Sequence, residues 1–232
     1  MLGFSPDEWT AILLSLRVAT VGTLVGLPLA LFLAFVLARW RFPGKVILDG
    51  ILHLPLVMPP VVTGYFLLLT FGRQGAVGKA LYETLGITFS FRWTGAALAC
   101  GVMGFPLMLR AIRLSFEAID RRLETAASTL GANPWWTFLL ITMPMALPGV
   151  LAGAVLCFAK ALGEFGATIT FVSNIPGETQ TIPSAIYTYT QVPGGESQAL
   201  RLAGVSIAIA MVALIVSEIL NRRIQKRIAV FE

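Results

Sequence analysis

Two ionisable side chains stand inside an otherwise apolar block, Lys160 and Glu164. Four residues apart, they share one face of a helix. Opposite charges at membrane depth must face protein or water and pair with each other. Such a pair is either a structural tie or a means of turning Lys160 toward the path of an anion. Other candidate chemistry is sparse. His53 is the single histidine, has no Cys or His at zinc-ligand spacing, and reads as an interfacial hydrogen-bonding residue rather than a metal ligand. The run Arg73-Gln74-Gly75-Ala76-Val77-Gly78-Lys79 looks like a phosphate loop. It lacks a Gly five residues before Gly78, and Ala80 stands where a Ser or Thr would hold Mg. Cys100 and Cys157 lie in apolar blocks and read as small buried hydrophobes. No cluster of His, Asp, Cys or Ser forms a catalytic array, which argues against a membrane enzyme. The shortage of intramembrane acids beyond Glu164 and Glu218 argues against an ion-coupled secondary transporter or channel.

The elements that hold these residues are membrane helices. Of 232 residues, 56% are hydrophobic and 12% charged, about half the charge of a soluble domain. The net charge of +5 comes from basic residues at the ends of apolar blocks; they mark topology rather than a nucleic-acid surface. We expect an all-α integral membrane protein with a single transmembrane domain, 1–232. Its spanning helices are placed near 10–38, 50–72, 93–113, 145–168 and 200–220. Val18 to Ala38 carries no charge, about 30 Å of helix, enough to cross the hydrocarbon core, with a kink expected at Pro28. The second block holds Pro55, Pro59 and Pro60. Such breakers are tolerated at depth only beside protein or a watery cavity, so Pro59 and Pro60 are candidates for a translocation path or for a kinked packing helix. The third block contains Gly95, Gly101 and Gly104, which favour close helix contact. A sixth crossing would require the broken second block or the Phe165 to Gln198 stretch to span as well.

Polar residues interrupt the middle of the chain from Arg121 to Trp136. Leu123 to Leu130 are mostly good helix formers. Gly131 suits a left-handed C-terminal position, and Pro134 the first turn of a new helix. The expected form is a helix, a tight turn and a helix within a loop, 114–144, outside the membrane. Small Ala126 and Ala127 would let it sit deep against a partner, with Leu123, Leu130 and Trp135 as apolar anchors.

This stretch resembles the cytoplasmic coupling loop of permease subunits in binding-protein-dependent ABC importers, whose pattern runs Glu-Ala-Ala, three residues, Gly, nine residues, Ile, one residue, Leu-Pro. Ala126, Ala127, Gly131, Ile141 and Pro144 fall on the pattern. Thr125 occupies the Glu position, with Glu124 one residue earlier, and Met143 replaces Leu. The resemblance implies a type I importer permease fold. It also implies docking of the elbow on an ATPase subunit through Glu124, Ala126, Ala127, Leu130, Gly131, Ala132, Pro134 and Trp135. Ala161 to Phe171, Asn174 to Thr179, Pro183 to Tyr187 and His53 to Val62 are similar to the permease subunit of molybdate ABC importers, a narrower resemblance over nearly the whole chain. It implies an ATP-driven importer of molybdate, with sulfate, thiosulfate or tungstate as alternatives, in the inner membrane of a prokaryote. The implied partners are a second copy of the chain, two ATPase subunits that bind ATP and Mg, and an oxyanion-binding protein on the outer side. This chain itself would bind no cofactor.

Basic residues fix the expected orientation. Arg39, Arg41 and Lys45, then Arg110, Arg113, Arg121 and Arg122, then Arg222, Arg223, Lys226 and Arg227 make up most of the 17 Lys and Arg. All lie inside if the elbow is cytoplasmic, with the N-terminus outside and the C-terminus inside. The outer loop, 169–199, then contains a short amphipathic helix around Thr181 to Tyr187 with Pro183 in its first turn. Thr168 and Ser184 are polar candidates for the outer part of the path, beside Lys160 and Glu164.

Overall fold

The computed structural model describes residues 3–228, with side chains through residue 222. The chain is helical: α1 (Pro6–Arg39), α2 (Lys45–Val57), α3 (Pro60–Phe71), α4 (Ala76–Leu85), α5 (Trp93–Ala118), α6 (Arg121–Thr129), α7 (Pro134–Thr137), α8 (Met143–Leu162), α9 (Gly166–Val172), α10 (Ile182–Thr190) and α11 (Glu196–Ile228). A π turn, Phe138–Thr142, joins α7 to α8. It lies just before Pro144, whose missing N–H interrupts the regular ladder. Among the described residues, four stretches are long and apolar enough to cross a membrane: Pro6–Arg39, Trp93–Ala118, Pro134–Leu162 and Glu196–Arg222. α2 and α3 together qualify as a fifth, bent by 114° at the Met58-Pro59 break.

Packing shows why the bent pair must count as a crossing. Gly22 of α1 lies against Ala97 and Gly101 of α5, Gly26 against Phe105 and Met108, and Phe35 against Phe116. Both numbers rise together, so α1 and α5 run in the same direction. The segment between them has to return across the bilayer. α8 runs the other way along α5: Ser115 Oγ donates to Ala146 O (3.2 Å), Gly153 meets Met108 and Ile112, Gly104 meets Cys157, and Cys100 Sγ donates to Ala161 O (3.5 Å). Among the described residues the result is five crossings, with α5 packed on both α1 and α8. α9 and α10, of 7 and 9 residues, are too short for a sixth.

Several boundaries differ from those the sequence suggests, each for a local reason. α1 begins at Pro6 because Ser5 and Glu8 close a capping box, and the helix continues through Pro28. The second block is two helices rather than one. α5 extends to Ala118, so the elbow begins at Ile119 rather than at residue 114. The fourth helix starts at Pro134 and stops at Leu162, since Glu164 turns back to accept the Ala167 N–H (3.0 Å) and opens α9 as a separate helix. The Arg73 to Lys79 stretch leads into a helix, α4, which Gly86, left-handed at φ 66°, terminates. The basic residues Arg223, Lys226 and Arg227 lie outside the residues with described side chains.

At the end of the bundle opposite the elbow, Glu8 is fully enclosed and takes two hydrogen bonds from Arg201, from Nε (3.0 Å) and Nη2 (3.1 Å). Ser15 Oγ accepts the Ile182 N–H at 2.7 Å. These contacts fasten the starts of α1, α10 and α11 to one another.

A Cβ added at Gly22 would sit 2.6 Å from the Ala97 carbonyl oxygen, whereas at Gly204 it would meet nothing within 4 Å. Gly22→Ala therefore forces two backbones apart, and overpacking of this kind costs about 1–3 kcal/mol. Thermal unfolding in detergent should show a clear fall in midpoint for Gly22→Ala and none for Gly204→Ala; equal midpoints would contradict this packing.

Candidate functional site

The elbow is assembled from local rules. Asp120 caps α6 by accepting the Arg122 N–H (2.9 Å). The helix ends in a Schellman arrangement: the Ala132 N–H reaches Ala127 O (3.0 Å) and the Gly131 N–H reaches Ser128 O (3.1 Å), with Gly131 at φ 83°. Asn133 then caps α7 through the Trp135 N–H (2.7 Å), and Pro134 occupies the first turn. The helix–turn–helix is thus present with Gly131 and Pro134 in the positions their chemistry suits.

Its two faces do different things. Leu130 is 89% exposed at the tip and Trp135 64% exposed beside it, with Leu123, Trp136 and Leu140 also open. Large apolar side chains gathered on a projecting, otherwise polar turn mark an interaction surface. Ala126, Gly131 and Pro134 belong to the open part, and Ala132 is half-buried. Ala127 is buried against its own chain, so its small size serves the inner packing of the elbow.

Glu124 also points inward. Its Oε1 accepts from Arg39 Nη2 (2.8 Å) and from Thr142 Oγ1 (2.8 Å). One carboxylate therefore joins the elbow to the end of α1 and to the turn that leads into α8. Thr125, at the family's Glu position, is exposed and donates to the Arg121 carbonyl. Sequence reasoning took Arg39 for a topology marker and passed over Thr142. The spacing that would have revealed them is long-range, 85 and 18 residues, and no local pattern carries it. Nearby, Arg113 Nη1 reaches Asp49 Oδ1 (2.9 Å), tying α2 to α5. His53 Nδ1 lies 2.9 Å from the Asp49 carbonyl oxygen, and no metal-ligating group forms among the described residues.

The path candidates divide. Lys160 Nζ donates to Glu164 Oε2 at 2.7 Å, with Glu164 buried, so the pairing expected from their spacing is present. Pro60 lies against Gly166, and Gly64 against Ala167 and Thr170; Pro59 and Pro60 are exposed at the break. This brings the broken α2–α3 segment against α9 just beyond Glu164. Thr168 is buried and donates to Phe165 O (2.9 Å). Ser184 is buried in α10 and donates to Thr181 O (2.9 Å). Both hydroxyls are turned to backbone carbonyls rather than to an opening. A separate crevice of about 530 Å³ lies between α1, α2 and α5 and is walled by apolar side chains such as Val25, Leu29, Ile51 and Phe105.

Among the described residues, five crossings pack around a central helix, with a capped helical elbow at one end. The family model "Binding-protein-dependent transport system inner membrane component" matches residues 26–230, and the chain belongs to that family. It is 59% identical over 220 residues to the "Molybdenum transport system permease protein ModB" of Escherichia coli (strain K12), covering 95% of this chain and 96% of that protein. It is 56% identical over 221 residues to the protein of the same name from Haemophilus influenzae, with 95% and 96% covered. Among solved structures, a bacterial alginate ABC transporter in complex with an alginate pentasaccharide-bound periplasmic protein matches with a TM-score of 0.74 at 18% identity. That match covers 96% of this chain and 81% of that chain. It carries the fold, a type I importer permease.

If Glu124 holds the elbow to α1, then Glu124→Gln loosens both contacts without touching the exposed tip. Hydrogen exchange should speed up at the amides of α6 while the amides of α5 keep their protection. Unchanged exchange in α6 would show that the Arg39 and Thr142 contacts do not hold it.

Proposed function

We propose that this chain is the membrane-spanning gate of an ATP-driven molybdate importer. It would work as two copies over two ATPase subunits, with an oxyanion-binding protein delivering substrate at the opposite face. The observation that carries the reading is the division of the elbow. Its apolar tip, Leu130 and Trp135, projects outward for a partner, while Glu124 on its other face is bonded to groups that lead into α1 and α8. Closure of the ATPases on ATP would pull on the tip, and the carboxylate would pass that displacement to both helices. ATP and Mg belong to the partner, in keeping with the failed phosphate loop of this chain. The names of the Escherichia coli and Haemophilus influenzae relatives support molybdenum as cargo, and high identity over almost the whole length supports the same role here. Basic residues at the elbow end favour a cytoplasmic elbow, an outer N-terminus and an inner C-terminus.

A dianion in hydrocarbon is prohibitively unfavourable, so the route must be watery when open. The Pro59–Pro60 break is exposed, with α9 and the Lys160–Glu164 pair beside it, and a second copy placed there would complete the path. Lys160, held by Glu164, would then offer partial positive charge at the edge of the path without trapping the anion.

In liposomes holding the chain, its ATPase and its binding protein, molybdate should stimulate ATP hydrolysis. Leu130→Asp should lower the stimulated rate at least about tenfold by placing a charge in the docked contact. The variant should still insert and dimerise, because Leu130 touches little of its own chain. Stimulation by sulfate alone would replace the cargo, and uptake without the ATPase would overturn the importer reading.

A further inference from the structure

At the elbow end of α1 the chain forms a polar crevice of about 330 Å³, walled chiefly by Arg39, Trp40, Arg41, Lys45, Glu117 and Arg121. Four cations face one carboxylate there, and Glu117 already accepts from Arg113 Nε at 2.8 Å. Arg41 and Arg121 have no carboxylate partner among the described residues. Arg39 is the more telling wall. Its side chain is only 9% exposed; Nη2 is engaged by Glu124, and its buried Nε has no partner. A buried guanidinium with an unmet donor, in a crevice of uncompensated positive charge, is suited to an anion with several acceptor oxygens.

The surroundings say which anion. Trp40 is exposed beside the crevice, and Val46 and Ile47, at the start of α2, present bare apolar side chains next to Lys45. Exposed Trp at the end of a spanning helix sits at headgroup level, and exposed aliphatics just beyond it face acyl chains. A free oxyanion would use the cations and leave this apolar margin idle; a phospholipid uses both. The geometry points to a binding site for one anionic phospholipid, its phosphate held by Arg39, Arg41 and Arg121 and its acyl chains lying over Val46 and Ile47. With the elbow cytoplasmic, the lipid belongs to the inner leaflet; the site itself does not depend on the cargo. Because Arg39 also holds Glu124, the bound headgroup sits one side chain away from the joint between elbow and α1.

Native mass spectrometry of the full chain, released from vesicles of mixed phosphatidylcholine and phosphatidylglycerol, reads which lipid stays bound. Phosphatidylglycerol should be retained preferentially. Removing two cations near the surface by Arg41→Gln with Arg121→Gln should reduce that preference about thirtyfold. Arg41→Lys with Arg121→Lys should keep most of it, which provides a reading even if the Gln pair folds poorly. Arg73→Gln with Lys79→Gln, at the other end of the bundle, should leave it unchanged. Equal retention of the two lipids, or an undiminished preference in the Gln pair, overturns the proposal. Displacement of the lipid by inorganic phosphate or molybdate would assign the crevice to a free oxyanion instead. Loss of ATPase association in the Gln pair, with lipid preference intact, would assign Arg41 and Arg121 to a protein partner.

Discussion

In a bilayer no water drives one apolar helix onto another, so the packing of α1 and α8 on α5 rests on how closely their backbones can approach. α5 meets this requirement on two sides. Toward α1 it presents Ala97 and Gly101 to Gly22; toward α8 it presents Gly104 to Cys157 and Met108 to Gly153. At Gly22 and Gly153 the nearest atoms are backbone carbonyls, and at Gly104 the Cys157 thiol and its backbone, so the interface has little freedom to slide or to repack. Van der Waals contact falls off steeply with separation. Helices seated this closely therefore move together or separate at a substantial energetic penalty.

That rigidity gives the ion pairs their meaning. Isolated pairs contribute little where water reaches them, and much more where removal of one partner strands a buried charge. Here they stand at the ends of the closely packed helices. Glu8 and Arg201 tie the start of α1 to α11, Arg39 and Glu124 tie its end to the elbow, and Arg113 with Asp49 ties α2 to α5. α1 is held at both ends by charge and in the middle by glycine. A displacement entering at the elbow would be carried along α1 as a rod rather than absorbed within it.

How much of this the sequence discloses depends on range. Gly131 and Pro134 betray the elbow because a left-handed turn and a helix start have residue preferences that act within a few positions. Lys160 and Glu164 betray their pairing because helical spacing alone brings them together. The charge-free blocks betray the spans because hydrocarbon thickness is a fixed length. Glu8 and Arg201, 193 residues apart, share no local signal; neither do Arg39 and Glu124. Thr168 and Ser184 show the complementary limit. A hydroxyl in a polar-looking stretch suggests solvent, yet the short helices α9 and α10 leave carbonyls that a Thr or Ser can satisfy within its own turn. Ala127 shows the same limit: small residues favour close contact, but composition does not say with whom.

The same reasoning locates where the bundle can change shape. α2 and α3 are bent by 114° at Met58-Pro59. They are exposed along most of their length, and α3 touches α9 through Gly64 and Gly166, while α2 is held to α5 by Asp49. A proline pair supplies no N–H at two successive positions, so no hydrogen-bonded ladder resists rotation there. The rod of α1, α5 and α8 and the hinge of α2–α3 thus have opposite mechanical character within one chain. On the proposed mechanism, a force applied at Leu130 reaches the hinge through the helices that cannot yield, and the opening appears at the one crossing whose backbone is already broken.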